Sequence, residues 1–395
     1  MLTGSMADRI NGYTLAEEAR REGFYFYFRE IVSELEPEVT LKDGRRVLML
    51  GSNSYMGLTT HPEVRAAAAA AIEKYGTGTA GSRFLNGTYD VHITLEEELA
   101  DWVGKESALL FSSGFLVNQG VIATLLSRHD RVLMDTLDHA SILDGARLSM
   151  AGTKRFPHND MEALERLLAD PPSGGQSFVV VDGVFSMEGD LVELPELVSL
   201  CDRYRASLML DDAHGLGVLG EEGRGTAHHF GVADRVDFIM GTFSKSLASL
   251  GGFIAADRQV IEYLKHHSRA FIFSASMPHS AAAAALAALR IIRREPERIE
   301  RLWENTRLMK SGLDELGFDT GRTETPVIPV YVRDFHLLMA FCRELEREGV
   351  FANPVIPPAV AANQSLVRVS LMATHTPAQV SRALDAFERA GRRLG

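Results

Sequence analysis

The chain has 395 residues, 46% hydrophobic and 24% charged, which is the balance of an ordinary soluble globular protein and too long for one simple core. A formal net charge of −12 argues against nucleic acid as a partner and against electrostatic attachment to an anionic membrane surface. Only two cysteines occur, Cys201 and Cys342, both in stretches patterned as helices, so neither a disulfide framework nor a metal site is expected and a reducing cytosol fits best.

In chain order, Val64–Tyr75 reads as a helix, with Pro62 near its start and Gly76 at its end. Ser107–Phe111 is a short strand followed by a turn and the helix Phe115–Leu126. Arg131–Asp135, Phe178–Val184 and Leu208–Asp211 are apolar runs of strand length, with helices at Asp160–Ala169 and Pro195–Tyr204 between them. Asp237–Phe243 and Gly252–Ala256 add two strands. This alternation of near-continuous apolar strands with helices predicts an α/β fold with a mostly parallel central sheet covered by helices. After Pro278 the pattern changes. A helical stretch from Ser280 to about Leu316 leads to a strand at Val327–Val332, a helix at Phe335–Glu348, a strand at Leu366–Met372 and a last helix. The expected organisation is a large α/β domain over 47–278, a smaller α+β domain over 279–395, and an N-terminal segment, 1–46, belonging to the small domain or to a dimer contact.

The N-terminus lacks the apolar core of a signal peptide, and the most apolar helical runs, Ala66–Ile72 and Ala281–Leu289, are too short to span a bilayer. The expectation is a cytoplasmic protein, not integral to a membrane, with peripheral contact at the inner membrane left open. The aromatic run Phe24–Phe28 suits ordinary packing, a dimer interface included, better than an acyl channel or a membrane contact.

Ligands on such sheets bind beyond the carboxyl ends of the strands, so the polar residues closing each strand carry the functional signal. Lys245 follows a strand within Thr242-Phe-Ser-Lys-Ser246. It could form an imine with a carbonyl cofactor while Thr242 and Ser244 hold a phosphate, although an isolated lysine of this kind is usually solvated. Asp211 closes a buried strand, where a carboxylate calls for a cation such as a protonated pyridine nitrogen; a turn or capping role is the alternative. His214 follows in the same loop and could donate to a ring oxygen. Gly114 and Phe115 open a helix whose first N–H groups suit a phosphate. His139 could lie over an aromatic ring, and Arg368 could clamp a carboxylate or form an interdomain salt bridge.

Taken together these motifs resemble the α-oxoamine synthases of the fold type I pyridoxal-phosphate enzymes, from about Gly23 to the C-terminus. The marks are Gly76–Thr88, Asp138-His-Ala-Ser-Ile142, Asp182–Asp190, Asp211-Asp-Ala-His-Gly-Leu-Gly217 and Gly241-Thr-Phe-Ser-Lys-Ser246. Within the family, Ser82–Thr88, Phe271–Ser276 and Asn353–Pro358 are most similar to the soluble bacterial serine palmitoyltransferase branch. The resemblance implies pyridoxal 5'-phosphate bonded to Lys245, paired through its ring nitrogen with Asp211, touched at its ring hydroxyl by His214 and stacked under His139. Gly114, Phe115, Thr242 and Ser244 would surround the phosphate, Ser186 would contact the cofactor, and Ser274 would reach the phosphate from the other subunit of a homodimer with shared active sites.

Arg368 would hold the amino-acid carboxylate, and Ser54, where several relatives have asparagine, would lie near the substrate entrance. Asp212 stands where many relatives have glutamate. The implied reaction is decarboxylative condensation of L-serine with a long-chain acyl-CoA such as palmitoyl-CoA, giving 3-ketodihydrosphingosine. Other members of the family, 8-amino-7-oxononanoate synthase and glycine C-acetyltransferase, are the alternatives. Transamination could use the same lysine, aspartate and histidine. A catalytically silent partner subunit would lack that lysine, which is present here.

Overall fold

The computed structural model describes residues 4–361 and 363–394. In chain order its strands are β1 (Glu38–Thr40), β2 (Arg46–Met49), β3 (Ser107–Phe111), β4 (Arg131–Asp135), β5 (Gly152–Phe156), β6 (Ser177–Asp182), β7 (Ser207–Asp211), β8 (Phe238–Thr242), β9 (Gly252–Ala256), β10 (Val327–Arg333), β11 (Val350–Phe351), β12 (Asn353–Val355) and β13 (Ser365–Ser370). The apolar runs between Ser107 and Ala256 pair into one seven-stranded sheet, ordered β3-β9-β8-β7-β6-β4-β5. β9 runs antiparallel to both its neighbours; the remaining pairs are parallel. The chain thus has the mostly parallel, helix-covered sheet expected of it.

Both faces of this sheet are buried, which is why its strands read as unbroken apolar runs. Along β6, Phe178 and Val180 pack on one side with Val117, Val121 and Ile142. Val179 and Val181 pack on the other with Leu194, Leu197 and Leu289. β5 escaped the sequence pattern for a physical reason: it is an edge strand whose first four residues are exposed, leaving only Phe156 as a buried apolar signal. The long helical stretch after Ser280 is two helices, His279–Arg294 and Glu297–Glu315, broken at Glu295-Pro296 because proline lacks the N–H that a continuing helix needs. The run that begins at Phe178 leaves the sheet at Asp182, two residues before its apolar character ends.

Two smaller sheets complete the fold, β1-β2-β11 and β10-β13-β12. β2 pairs in parallel with β11, Leu48 opposite Val350, so an N-terminal strand is stitched to the C-terminal part of the chain. The glycine-rich stretch around Ser82 is tied down by a buried ion pair: Arg83 donates to both carboxylate oxygens of Glu96 at 2.8 and 3.0 Å, and Glu96 also accepts the Leu110 N–H of β3. No helix among the described residues is long and apolar enough to cross a membrane.

Candidate active site

β4, β6, β7 and β8 run parallel and end at Asp135, Asp182, Asp211 and Thr242, so their polar termini share one edge of the sheet. A cavity of about 250 Å³ opens there, with Gly114, His139, Ser186, Asp211, His214 and Lys245 in its walls. Phe115, Thr242 and Ser244 line it as well.

Lys245 sits on the loop by which the chain leaves β8 and returns along β9. Desolvation lowers its amine to about 8, against the pull of Asp211 and Asp182. The hydroxyls of Thr242 and Ser244 stand 3.0 Å apart, and Thr242 Oγ1 also donates to the Gly251 carbonyl at 3.1 Å. Beside them begins the Gly114–Leu125 helix, where Ser113 Oγ accepts the Leu116 N–H at 3.2 Å and leaves earlier amides facing the cavity. A Cβ on Gly114 would come 2.9 Å from Thr242 Oγ1, so only glycine lets the helix start approach the lysine loop this closely. Two hydroxyls and the positive end of a helix thus face one corner of the cleft, a setting for a phosphate.

Asp211 is 5% exposed. Its Oδ2 accepts the Asn118 amide at 2.7 Å and its Oδ1 accepts the Ala213 N–H at 3.1 Å. Asn118 also donates to Ser141 Oγ at 2.8 Å, and that hydroxyl lies 2.7 Å from His139 Nδ1. One polar chain therefore links the buried carboxylate to the imidazole at the mouth of the cleft. Partial desolvation lowers His139 below the ordinary histidine value, against the attraction of Asp211. Asp182 Oδ2 accepts the His139 N–H at 3.2 Å, and burial together with Asp211 and Asp138 pushes the Asp182 carboxyl well above the usual range.

His214 is buried and pairs through Nδ1 with the Tyr55 hydroxyl at 2.7 Å; desolvation, Lys245 and Arg368 hold it well below the ordinary histidine value. It is a neutral imidazole in the cleft wall. Arg368, on β13, donates through Nε to the Ser186 carbonyl at 2.6 Å and through Nη1 to Ser370 Oγ at 2.7 Å. Its Nη2 is buried with no partner among the described residues, an arrangement that an arriving carboxylate would complete.

Three of the expected residues are not in the cavity wall: Arg368 meets it through the Ser186 carbonyl, and Ser54 and Ser274 stand apart. Ser54 is buried, its hydroxyl unpartnered, beside Tyr55 rather than in the cavity wall. Ser274 lies outside the cavity, two residues before Ser276, whose N–H donates to the Gly81 carbonyl at 2.9 Å. Asp212 turns away from the cleft and accepts the N–H and hydroxyl of Thr226 at 2.7 and 2.6 Å. The Phe24–Phe28 run divides: Phe26 is buried at 5% exposure, while Phe28 stands out at 90% beside a groove where Arg29 lies over the Phe351 ring. Ser141 belongs to the Asp138–Ile142 motif but receives no role of its own from it, and Asn118 and Tyr55 fall outside the motifs. Asn118 sits mid-helix among apolar neighbours, where an amide interrupting the apolar run is the one signal the sequence offers.

Residues 45–387 match the family model described as aminotransferase class I and II. A serine palmitoyltransferase of Sphingobacterium spiritivorum is 52% identical, over 98% of this chain and 97% of its own. An 8-amino-7-oxononanoate synthase of Geobacter sulfurreducens is 45% identical, over 96% of this chain and 97% of its own. The chain belongs to the class I and II aminotransferase family, in its α-oxoamine synthase branch. Among solved structures, a serine palmitoyltransferase described with its pyridoxal-phosphate internal aldimine superposes with a TM-score of 0.96 at 34% identity, covering all of both chains. The synthase fold therefore extends over the whole chain, small sheets included.

Proposed function

We propose that this α-oxoamine synthase is a pyridoxal-phosphate-dependent acyltransferase. It condenses L-serine with a long-chain acyl-CoA, palmitoyl-CoA being the expected donor, and releases CoA, CO2 and 3-ketodihydrosphingosine, the first step of sphingolipid synthesis. The observation that carries the reading is the convergence of Lys245, Asp211 and His139 on one cleft, with Arg368, its Nη2 unpartnered, bonded to the carbonyl of Ser186 in the cleft wall. The high identity to serine palmitoyltransferases over nearly the full chain supports the choice of substrates.

The residues present fit pyridoxal phosphate. A phosphate corner, a buried carboxylate, an amine of lowered pKa and an imidazole at the cleft mouth occupy one cavity, and the Cβ-free face of Gly114 keeps that corner open. When bound, the cofactor supplies an electron sink for a carbanion at the amino-acid Cα.

In this reading Lys245 Nζ, uncharged in an appreciable fraction near neutral pH, would hold the cofactor and would be the base for the Cα proton. Asp211, oriented by Asn118, would pair with the cofactor's ring nitrogen and keep it protonated. Gly114 and Phe115 N–H groups with Thr242 and Ser244 bind the phosphate, while His214 and Ser186 contact the cofactor. His139 would contact the cofactor and position the amino acid, whose carboxylate Arg368 would bind. Ser54 borders the substrate entrance.

We assign the active form to a homodimer in which Ser274 completes the partner's phosphate site. The solvent-facing Phe84, Leu85 and Phe273, 50%, 78% and 75% exposed, supply apolar surface for that contact.

The test is CoA-thiol release by purified, cofactor-loaded protein offered serine, alanine or glycine with palmitoyl-, pimeloyl-, succinyl- or acetyl-CoA, with products identified by mass spectrometry. Turnover with serine and long acyl chains is expected. Turnover with alanine and pimeloyl-CoA instead would reassign the chain to the 8-amino-7-oxononanoate synthases.

A further inference from the structure

Behind the cleft, His158 joins two of its walls. Its Nδ1 lies 3.2 Å from both carboxylate oxygens of Asp135, and its Nε2 lies 2.8 Å from Asp190 Oδ2. Ionised carboxylates only accept hydrogen bonds, so both ring nitrogens carry protons and the ring is an imidazolium. Phe185 meets the ring edge-on at 4.4 Å between centroids. Glu188, on the same loop as Asp190, is a further carboxylate in the field of the ring. Burial works against the charge, yet Asp135 and Asp190 together raise the imidazole to about 10.

The two carboxylates belong to different walls. Asp135 ends β4 and also accepts the N–H groups of Leu137 and Asn159, both at 2.8 Å, fixing the turn that leads to His139. Asp190 closes the loop that starts at Asp182 and carries Val184 and Ser186 into the cavity wall. From that loop the Ser186 carbonyl accepts Arg368 Nε at 2.6 Å, and the Gly189 carbonyl accepts the Thr325 hydroxyl at 2.9 Å. Arg368 Nε is thus bonded to a carbonyl of the loop that Asp190 closes.

We infer that His158 is a positioning residue: as an imidazolium it ties Asp190 to Asp135, and so fixes the 182–190 loop whose Ser186 carbonyl aims Arg368 at the amino-acid carboxylate. The inference rests on the carboxylate role proposed above for Arg368. Removing the tie lets the loop shift, and Arg368 with it, while the groups that hold the cofactor phosphate lie on other elements.

The test compares the holoenzyme with His158→Gln, reading amino-acid affinity from the cofactor absorbance change and the acyl-CoA KM and kcat from thiol release. The amino acid is whichever one the wild-type protein takes up. Its dissociation constant is expected to rise about tenfold, with acyl-CoA KM and kcat within about threefold. An amino-acid constant unchanged within about twofold, or amino-acid and acyl-CoA constants rising together, overturns the inference.

Two measurements keep it exposed if His158→Gln does not fold. Asp190→Asn preserves side-chain shape and should weaken amino-acid binding about threefold; no change counts against the inference. Nitrogen-15 NMR of the wild-type His158 ring at pH 8 should show both nitrogens protonated, and a neutral ring there overturns it. A wild-type holoenzyme that binds no amino acid would remove the proposed function and this inference with it, whereas normal wild-type binding with an unaffected variant removes this inference alone.

Discussion

Asn118 Nδ2 stands 2.7 Å from Asp211 Oδ2, and the same amide nitrogen reaches Ser141 Oγ at 2.8 Å, so a single fully buried asparagine holds the carboxylate of one strand end and the hydroxyl beneath His139. The carboxylate cannot turn away from the cleft without stranding a buried donor. In Asn118→Leu that constraint is lost. A hydrogen bond to a charged group contributes about 1.5–3 kcal/mol, so the dissociation constant for pyridoxal phosphate should rise at least about tenfold. Absorbance titration of the apoprotein checks this, and an unchanged constant would mean that Asp211 needs no help from the helix.

The lowered amine of Lys245 sets a pH window. Below about 8 the folded protein carries this side chain mainly as an ammonium, and above it as the free nucleophile. Cofactor uptake by the apoprotein should therefore accelerate with rising pH and level off just above 8, where an ordinary lysine would still be gaining near 10. Stopped-flow absorbance across pH 6.5–10 (a range of roughly two units either side of the expected midpoint) reads it directly. Lys245→Ala should show no multiple-turnover condensation at any pH.

Arg368→Lys keeps a positive charge but loses the fork, and it cannot bond Ser186, Ser370 and an incoming carboxylate together. The KM for the amino acid is expected to rise roughly ten- to hundredfold, corresponding to about 1.5–3 kcal/mol, with a smaller change in acyl-CoA KM. Steady-state kinetics with each substrate varied separately would show it. Equal effects on both substrates would place Arg368 in a structural role.

The Arg83–Glu96 pair makes a prediction about stability rather than chemistry. Its side chains are only 6% and 7% exposed, and each is the other's compensating charge. Arg83→Met leaves Glu96 buried and unpaired and should cost about 3–5 kcal/mol in denaturant unfolding. The double variant Arg83→Met, Glu96→Gln should recover part of that loss, since the neutral amide can still accept the Leu110 N–H.

The parts of this molecule that sequence made legible are those where one physical requirement dominates. Strands such as β4, β7 and β9 announce themselves because burial on both faces demands apolar residues throughout. Lys245, Asp211 and Gly114 were legible because they punctuate apolar runs at the sheet edge where ligands bind. β5 was not, since an edge strand needs few buried side chains. Asn118, Ser141 and Tyr55 were hidden for another reason: they hold other residues in place across the fold, and distances such as the 159 positions between Tyr55 and His214 leave no local spacing to read. Arg368 was visible as an arginine on a strand. Its free Nη2 emerges only once Ser186 and Ser370 are seen to occupy the rest of the guanidinium.

The placement of β9 bears on how the protein reaches this state. β3 finds no partner in the strands that follow it; it waits for β9, with five strands made in between, and β9 in turn lays Gly252 against Gly114. The corner formed by the helix start and the Thr242 loop therefore does not exist until the last strand of the large sheet slots between β3 and β8. Non-local pairing of this kind is slow to nucleate and leaves β3 without its sheet partner meanwhile. Between the making of Asp211 and the arrival of β9, a nascent chain would hold Asp211 and His139 but no place to lodge a phosphate. Acquisition of the cofactor would then follow the closing of the large sheet, not precede it.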